Sequence, residues 1–245
     1  MTRTAWFDGP LPRILAHRGL ALDAPENGLD AFAAALAAGA THLETDVRAT
    51  ADGVPVLVHD PRLRDDGPAV AALPLAELRR LRPGTATLDE ALEAHPAARF
   101  NIDLKAASAV APAVRAIRRL GAADRVLVTS FSTRRRGPAV RALGPVATSA
   151  SASQVVAAVL GVRLRSTRLV RAALHAVDAV QLPERIAGLE TGSPAVLARF
   201  HDAGVEVHVW TVNDPARMRA LVAAGVDGIV TDRTDLAVRA LLPPS

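Results

Sequence analysis

The chain has 245 residues, of which 50% are hydrophobic and 3% aromatic, and it carries a formal net charge of +4 and no cysteine. This composition excludes an intrinsically disordered chain, a disulfide framework and a thiolate metal site. There is no apolar run of about 18 residues, so we expect no transmembrane segment. The N-terminal sequence MTRTAWFDGPLPR lacks the apolar stretch of a signal peptide, and we expect a cytoplasmic protein.

Short apolar runs alternate with alanine-rich helical stretches along the whole chain. Strands are predicted at 13–17, 42–47, 99–104, 125–131, 145–150, 178–182, 205–210 and 227–231. Eight strands that alternate with helices predict an α/β fold in which a parallel sheet closes into a (β/α)8 barrel, as one domain over 1–245. The alternative is an open, doubly wound sheet.

One apolar run breaks this alternation. VPVLVHD at 54–60 follows HLETDVRAT after only ADG, and Asp-Gly is a common hairpin turn. We predict an antiparallel arm that folds back on the second strand with its turn near Asp52, which would bring His59 opposite Thr45. The segment 61–84 is then a small insertion that carries one short helix and forms a lid or a flank.

Polar side chains collect at the predicted C-terminal ends of the strands, where barrel enzymes carry their catalytic residues. They are His17, Arg18 and Gly19 after the first strand, Glu44 and Asp46 on the second, His59 on the arm, Asp103 and Lys105 on the third, and Trp210 on the seventh.

Glu44 and Asp46 lie two residues apart, so they share one face of a strand. Two carboxylates in an apolar core need compensation, and Asp103 on the neighbouring strand could join them around a divalent metal. Oxygen ligands suit Mg²⁺, Ca²⁺ or Mn²⁺ rather than zinc. The alternative is a salt-bridge network whose cations are Arg18, Arg48 and Lys105.

The cations and histidines beside these carboxylates suggest phosphate chemistry. Arg18 offers a planar fork to phosphate oxygens, and Lys105, which is the single lysine of the chain, offers a point charge. His17 and His59 would face each other across the site as an acid and base pair. We expect cleavage of a phosphodiester. His208 is a weaker candidate for the site, and the remaining histidines are expected to be structural or on the surface.

The motifs HRG, APEN, LETDVRATADGVPVLVHD, NIDLK, VWTVN and DGIVTD occur in this order between Ile14 and Asp232. In this the chain resembles the glycerophosphodiester phosphodiesterase family over nearly its whole length. The resemblance implies a barrel with an insertion that hydrolyses small glycerophosphodiesters to glycerol 3-phosphate and an alcohol, with one divalent cation, Mg²⁺ or Ca²⁺.

The resemblance also implies roles for individual residues. His17 and His59 would be the acid and base pair. Metal ligands would be Glu44, Asp46 and Asp103, and substrate would be held by Arg18, Lys105 and Trp210. Glu26 and Asn27 would brace the site. Water could attack directly, or a neighbouring glycerol hydroxyl could attack first and give a cyclic phosphate.

The sequence departs from the family pattern at three positions. Asp103 stands where the family commonly has Glu, Gly28 where it has Thr, and Ser132 where it often has Asp. These changes leave the substrate preference and, to a lesser degree, the choice of metal open.

Two other functions compete with this one. A lysophospholipase D-like enzyme on the same barrel would need an apolar surface near the mouth, which could come from insertion leucines at 73, 75, 78 and 81. A catalytically silent barrel that binds phosphoesters is the second. No nucleic-acid partner is expected, because the arginines are scattered and aromatics are few. Peripheral membrane contact is compatible with the arginine-rich exterior, and the chain would be a monomer or a homodimer.

Overall fold

The computed structural model describes residues 4–242, so the predicted domain bounds 1–245 extend beyond the described residues at both ends. Eight parallel strands form the barrel: β1 (Arg13–His17), β2 (His42–Ala49), β4 (Arg99–Leu104), β5 (Val126–Thr129), β6 (Ala147–Thr148), β7 (Ala179–Pro183), β10 (Glu206–Trp210) and β11 (Gly228–Thr231). The predicted barrel is therefore confirmed, and the open sheet is wrong.

The strand order around the barrel is β6-β5-β4-β2-β1-β11-β10-β7. The two end strands meet through a single parallel bridge between Ser149 and Ala179. Beside it, the Ala150 N–H donates to the Ala179 carbonyl at 2.9 Å, and the Asp178 N–H donates to the Thr148 carbonyl at 2.8 Å. The barrel is thus nearly closed, but few hydrogen bonds join its end strands because β6 has only two residues.

Helices surround the barrel. They are α1 (Leu29–Ala37), α2 (Leu75–Leu81), α3 (Leu88–Ala94), α4 (Val110–Arg119), α5 (Thr133–Leu143), α6 (Ala152–Arg163), α7 (Thr167–Ala173), α8 (Pro194–His201), α9 (Pro215–Ala223) and α10 (Thr234–Leu241). Several are capped as the sequence indicates; Thr87 and Glu90, for example, form a reciprocal capping box at α3. Among the described residues no helix is long and apolar enough to cross a membrane.

The predicted arm is β3 (Pro55–Leu57), which pairs antiparallel with β2. Val47 lies opposite Leu57 and Ala49 opposite Pro55, which is the register predicted from a turn near Asp52. The insertion then packs α2 against the arm through a cluster of Val56, Val58 and Leu78. It is a flank rather than a lid, because none of its residues lines the cavity described below.

A short hairpin of β8 (Arg185–Ile186) and β9 (Leu189–Glu190) follows β7 and was not predicted. Each strand has two residues, which is too short for an alternating pattern to be visible in the sequence.

The N-terminal segment closes the lower end of the barrel. Trp6 is fully buried there in a cluster with Leu15 and Leu127, and its Nε1–H donates to the Phe100 carbonyl at 3.0 Å. Beside it, Arg13 binds both carboxylate oxygens of Glu206 at 2.6 and 2.9 Å. A planar guanidinium paired through two hydrogen bonds is an arrangement that can compensate a buried carboxylate.

His42 at the start of β2 is also buried at this end. Its Nε2 lies 2.9 Å from the Trp6 carbonyl and its Nδ1 lies 2.8 Å from the Thr41 hydroxyl. Because a carbonyl only accepts, Nε2 carries the proton of a neutral ring. Burial lowers the pKa of His42 from 6.5 to about 3.

We predict that this histidine contributes to acid unfolding. Between pH 6.5 and about 3 the unfolded chain binds a proton at His42 that the folded chain excludes. The free energy of unfolding should therefore fall as pH decreases through this window, by roughly 1.4 kcal/mol per pH unit from this group. His42→Gln should reduce that slope by about one proton in urea unfolding measured at several pH values. The exposed His175 offers the matched control, His175→Gln. An unchanged slope in His42→Gln would contradict the assignment.

Candidate active site

A cavity of about 450 Å³ opens at the C-terminal ends of the barrel strands. Eight of the predicted site residues line it, namely His17, Arg18, Glu44, Asp46, His59, Asp103, Lys105 and Trp210. The two predicted bracing residues, Glu26 and Asn27, do not line the cavity but contact side chains that do. The structure therefore brings the whole predicted set to one place.

Strand register explains this convergence. In the parallel pairs, His17 lies beside Glu44, and Asp46 lies beside Asp103. Lys105 directly follows β4, and its N–H still donates to the Val47 carbonyl at 3.0 Å. His17 is thus the last residue of β1 and Asp103 the last but one of β4, whereas Glu44 and Asp46 lie within β2, and strand pairing brings all four to the cavity.

Two cations hold the carboxylates together. Lys105 Nζ lies 2.9 Å from Asp46 Oδ1 and 2.7 Å from Asp103 Oδ2, and so bridges adjacent strands. Arg18 Nε lies 3.0 Å from Asp46 Oδ2, while its Nη1 donates to Glu26 at 3.0 Å. Arg48, expected among these cations, instead donates to the His59 carbonyl at 2.8 Å. The salt-bridge alternative thus describes the observed contacts of Asp46 and Asp103, although Arg48 takes no part in it.

The three carboxyl groups differ in their ionisation. Burial, followed by the charges of Asp46 and Asp103, raises the pKa of Glu44 well above its usual value. Burial also raises the pKa of Asp103, although Lys105 opposes it. For Asp46, burial is outweighed by Lys105 and Arg18, and its pKa is lowered. The three carboxyl groups thus outnumber the two cations, and burial disfavours the charged form of Glu44 and Asp103.

This imbalance fits a divalent cation. The donors are all carboxylate oxygens, and Asp103 Oδ1 is buried without a hydrogen-bond partner. In the part of the chain that the structure describes, no three His, Cys, Asp or Glu side chains are already arranged around a common metal position. Binding a cation would therefore require side-chain rearrangement, with Lys105 the nearest competing charge.

Each candidate catalytic histidine is oriented by a carboxylate. His17 Nδ1 lies 2.6 Å from Asp232 Oδ1, and His59 Nδ1 lies 2.8 Å from Asp60 Oδ1. The hydrogen bond from His17, followed by burial acting in the opposite direction, leaves the pKa of Asp232 lowered. Ionised carboxylates only accept, so Nδ1 of each ring is the donor and Nε2 is free to exchange a proton. His17 Nε2 lies 4.0 Å from Glu44 Oε2.

Sequence reasoning did not assign a role to Asp232, Asn213 or Asp60. Asn213 donates to Asp232 at 2.8 Å and so fixes the partner of His17. All three residues occur within motifs noted in the sequence, DGIVTD, VWTVN and the closing HD. Their signal was therefore present. The contacts of Asp232 and Asn213 depend on strand closure, whereas Asp60 directly follows the histidine that it contacts. His208, the weaker candidate, is fully buried beside Glu206 and does not line the cavity.

The loop after β1 is shaped by its backbone. Arg18 has a φ of 58° and Gly19 a φ of 87°, and a Cβ on Gly19 would lie 2.7 Å from the Ala31 carbonyl carbon. Only glycine tolerates this approach without displacement. At Gly28, where the family carries Thr, a Cβ would lie 2.9 Å from the Pro25 carbonyl oxygen. A threonine at this position would therefore require the loop backbone to move away from the Pro25 carbonyl.

Asn27 connects this loop to β2. Its Oδ1 accepts from the Thr45 hydroxyl at 2.7 Å and from the Asp46 N–H at 3.2 Å, and its Nδ2 donates to Asp46 Oδ2 at 3.3 Å. It is buried and has a φ of 59°, a conformation that asparagine tolerates better than most residues. The predicted bracing geometry is therefore present, and its role in activity remains a proposal.

Comparisons with known proteins agree with the motifs. The sequence pattern of the Glycerophosphoryl diester phosphodiesterase family matches residues 17–236. A probable glycerophosphodiester phosphodiesterase 2 of Mycobacterium tuberculosis is 42% identical over 231 residues, which cover 91% of this chain and 88% of that protein. A glycerophosphodiester phosphodiesterase of Caldanaerobacter subterraneus is 27% identical over 246 residues, with coverage of 89% and 93%.

Solved structures show the same architecture. A phosphodiesterase of Oleispira antarctica in complex with the product sn-glycerol-3-phosphate has a TM-score of 0.76 and 25% identity, and the match covers 94% of this chain and 97% of that one. A putative glycerophosphoryl diester phosphodiesterase of Silicibacter pomeroyi has a TM-score of 0.76 and 26% identity, with coverage of 96% and 94%.

We predict that Asn27→Ala destabilises the fold by roughly 1–3 kcal/mol, because it leaves the buried Thr45 hydroxyl without its acceptor. Glu26→Ala, one residue earlier on the same loop, removes a half-exposed carboxylate that pairs with Arg18. Because a half-exposed ion pair contributes little, this variant should change the free energy of unfolding by no more than about 0.5 kcal/mol. Urea unfolding of both variants provides the measurement. Equal effects would show that the Asn27 contacts contribute nothing beyond the loop itself.

Proposed function

Because the chain belongs to the glycerophosphoryl diester phosphodiesterase family, we propose that it hydrolyses small glycerophosphodiesters to glycerol 3-phosphate and an alcohol. The observation that carries this proposal is the convergence on one cavity of two carboxylate-oriented histidines, two cations and three buried carboxyl groups. Support for the product comes from the Oleispira antarctica neighbour, whose structure holds sn-glycerol-3-phosphate. A cytoplasmic location stays part of the same proposal.

In this mechanism His17 and His59 exchange protons with the two reacting oxygens through their Nε2 atoms. One accepts a proton from the attacking oxygen, and the other donates a proton to the oxygen that leaves with the alcohol. Asp232 and Asp60 hold each ring through Nδ1 and leave its Nε2 available for proton exchange. The geometry is compatible with attack by water or by a neighbouring glycerol hydroxyl.

Arg18 and Lys105 bind the phosphate oxygens in this proposal. Arg18 suits two oxygens through its planar fork, whereas Lys105 acts as a point charge. Glu44, Asp46 and Asp103 would hold one divalent cation, Mg²⁺ or Ca²⁺, which would supply further stabilisation of phosphoryl charge. The Trp210 ring, which packs edge-to-face against Phe131 at 6.2 Å, borders the part of the cavity that the glycerol or alcohol moiety would occupy.

A lysophospholipid is the second candidate substrate. Of the four insertion leucines, Leu78 is fully buried, Leu73 and Leu75 pack around it, and Leu81 is 40% exposed. None of the four lines the cavity, so they do not support this substrate as expected. The cavity itself does, because Phe131, Val156 and other apolar side chains form part of its wall. An acyl chain would find contacts there that a choline group does not need.

We predict that His17→Ala and His59→Ala each lower kcat by roughly 10²- to 10⁴-fold while the fold is retained, as expected for loss of a general acid or base. The matched control is His175→Ala, which removes an exposed histidine far along the chain. Circular dichroism checks that the variants are folded. Near-normal turnover in either site variant would remove that histidine from the mechanism.

The function itself is tested by release of glycerol 3-phosphate from glycerophosphocholine in a coupled assay. We expect release that is lost after exhaustive chelation and restored by Mg²⁺ or Ca²⁺. Full activity after chelation would refute the metal role and leave the reaction class intact. The lysophospholipid alternative would be favoured if folded protein released no glycerol 3-phosphate from glycerophosphocholine under any condition but released choline from lysophosphatidylcholine. Failure with both substrates would favour a silent phosphoester-binding barrel.

A further inference from the structure

The outer surface of α6 carries an exposed apolar stripe. Val156 is 68% exposed, Leu160 55% and Leu164 61%, and they recur every four residues on one side of the helix. Leu169 at α7 is 45% exposed and continues the stripe. We call these four residues the α6 face.

Packing within the chain does not require this stripe. The opposite side of α6 already supplies the core with Val155, Ala158, Val159 and Val162. Gly161 brings α7 close, since a Cβ there would lie 2.9 Å from the Val170 nitrogen. A helix that is apolar on both sides and covered on only one leaves a surface suited to a partner.

The charged side chains of the segment that carries the α6 face have one sign. From Arg125 to Val177 the sequence contains no aspartate or glutamate. Six arginines in this segment are exposed, namely Arg134, Arg141, Arg163, Arg165, Arg168 and Arg171. Among the described residues none of these six forms a salt bridge. The acidic residues of the neighbouring β8–β9 segment are already paired, Glu190 with Arg185 and Glu184 with Arg217.

The α6 face also reaches the active-site cavity. Val156 belongs to both, and Phe131, which is 59% exposed, lines the cavity rim beside the start of α6. The Ala152 N–H donates to the Phe131 carbonyl at 3.0 Å, which fixes these two segments side by side. A surface that covers the α6 face would therefore lie next to the cavity mouth.

We infer that the α6 face docks on an anionic lipid surface. Apolar side chains flanked by arginines are the pattern of helices that lie in the membrane interface, where apolar burial and attraction to anionic headgroups act together. A second copy of this chain is a poorer occupant, because a symmetric contact would place the arginines of one face against those of the other. An anionic bilayer would bury the apolar side chains and attract the arginines beside them.

The test is co-sedimentation of the full chain with vesicles. We expect binding to vesicles of equimolar phosphatidylcholine and phosphatidylglycerol, weak binding to phosphatidylcholine alone, and loss of binding as salt is raised. The double substitution Arg165→Gln and Arg168→Gln should weaken partitioning by about fivefold for each arginine removed. Leu160→Ser with Leu164→Ser should weaken it by about tenfold or more.

Matched controls separate this face from overall charge and hydrophobicity. Arg115→Gln with Arg219→Gln removes the same charge from exposed positions on α4 and α9. Leu81→Ser removes an exposed leucine from the insertion, where it is 40% exposed. Neither control should change vesicle binding, and hydrolysis of soluble glycerophosphocholine should be equal in all of these variants.

Two results would overturn the inference. One is no binding to the anionic vesicles, or equal loss of binding in the controls. The other is a dimer in analytical ultracentrifugation that dissociates in the Leu160→Ser and Leu164→Ser variant, which would make the α6 face an interface between copies of the chain. Because vesicle binding is measured without substrate, its failure is independent of the proposed hydrolysis.

Discussion

Three carboxyl groups lie side by side at the mouth of an apolar barrel, and the compensation of their charge organises the site around them. Water solvates them poorly there, since Glu44, Asp46 and Asp103 are each no more than 6% exposed. Lys105 and Arg18 neutralise part of the charge, and the raised pKa of Glu44 shows how burial and its neighbours leave the remainder unfavourable. A bound cation would change this balance directly, so under the proposed function the same residues would affect both stability and chemistry.

The barrel makes such a concentration of charge possible because its two ends are built differently. At the lower end Trp6, Arg13, Glu206 and His42 form a closed layer that is held by hydrogen bonds within the chain. At the upper end polar side chains from several strands point into a cavity. Rigid pairing below fixes the strand register, and register places His17 beside Glu44 and Asp46 beside Asp103 above.

Most of the barrel was predictable from the sequence because each parallel strand has a recognisable local pattern. Each barrel strand is a short apolar run between helices, and the Asp-Gly turn determined the register of the arm. The bounds were less predictable where tertiary contacts decide them: β6 shrinks from the predicted 145–150 to Ala147–Thr148, and β5 ends at Thr129 rather than at 131. Closure of the lower end by Trp6 depends on its hydrogen bond to Phe100, which is 94 residues away. Residue spacing in the sequence does not predict such a contact.

The same distinction holds inside the site. Side chains on the strands could be assigned because alternation determines their face, whereas Glu26 and Asn27 were assigned only through the resemblance carried by the APEN motif. The partner of His17 could not, since Asp232 lies 215 residues later and meets it only when β11 pairs with β1. The cation contacts of Asp46 and Asp103 were equally open, because spacing alone does not distinguish a metal site from a salt bridge.

The single lysine illustrates how geometry selects a residue type in a chain that otherwise uses arginine. Asp46 and Asp103 occupy paired positions on neighbouring strands, and Lys105 Nζ reaches one oxygen of each. An ammonium group donates in three directions from one point and can bridge two carboxylates that are not coplanar, whereas a guanidinium fork favours both oxygens of one carboxylate, as Arg13 does with Glu206. Lysine keeps the two strand ends coupled and leaves a compact positive charge at the point where a phosphate oxygen would arrive.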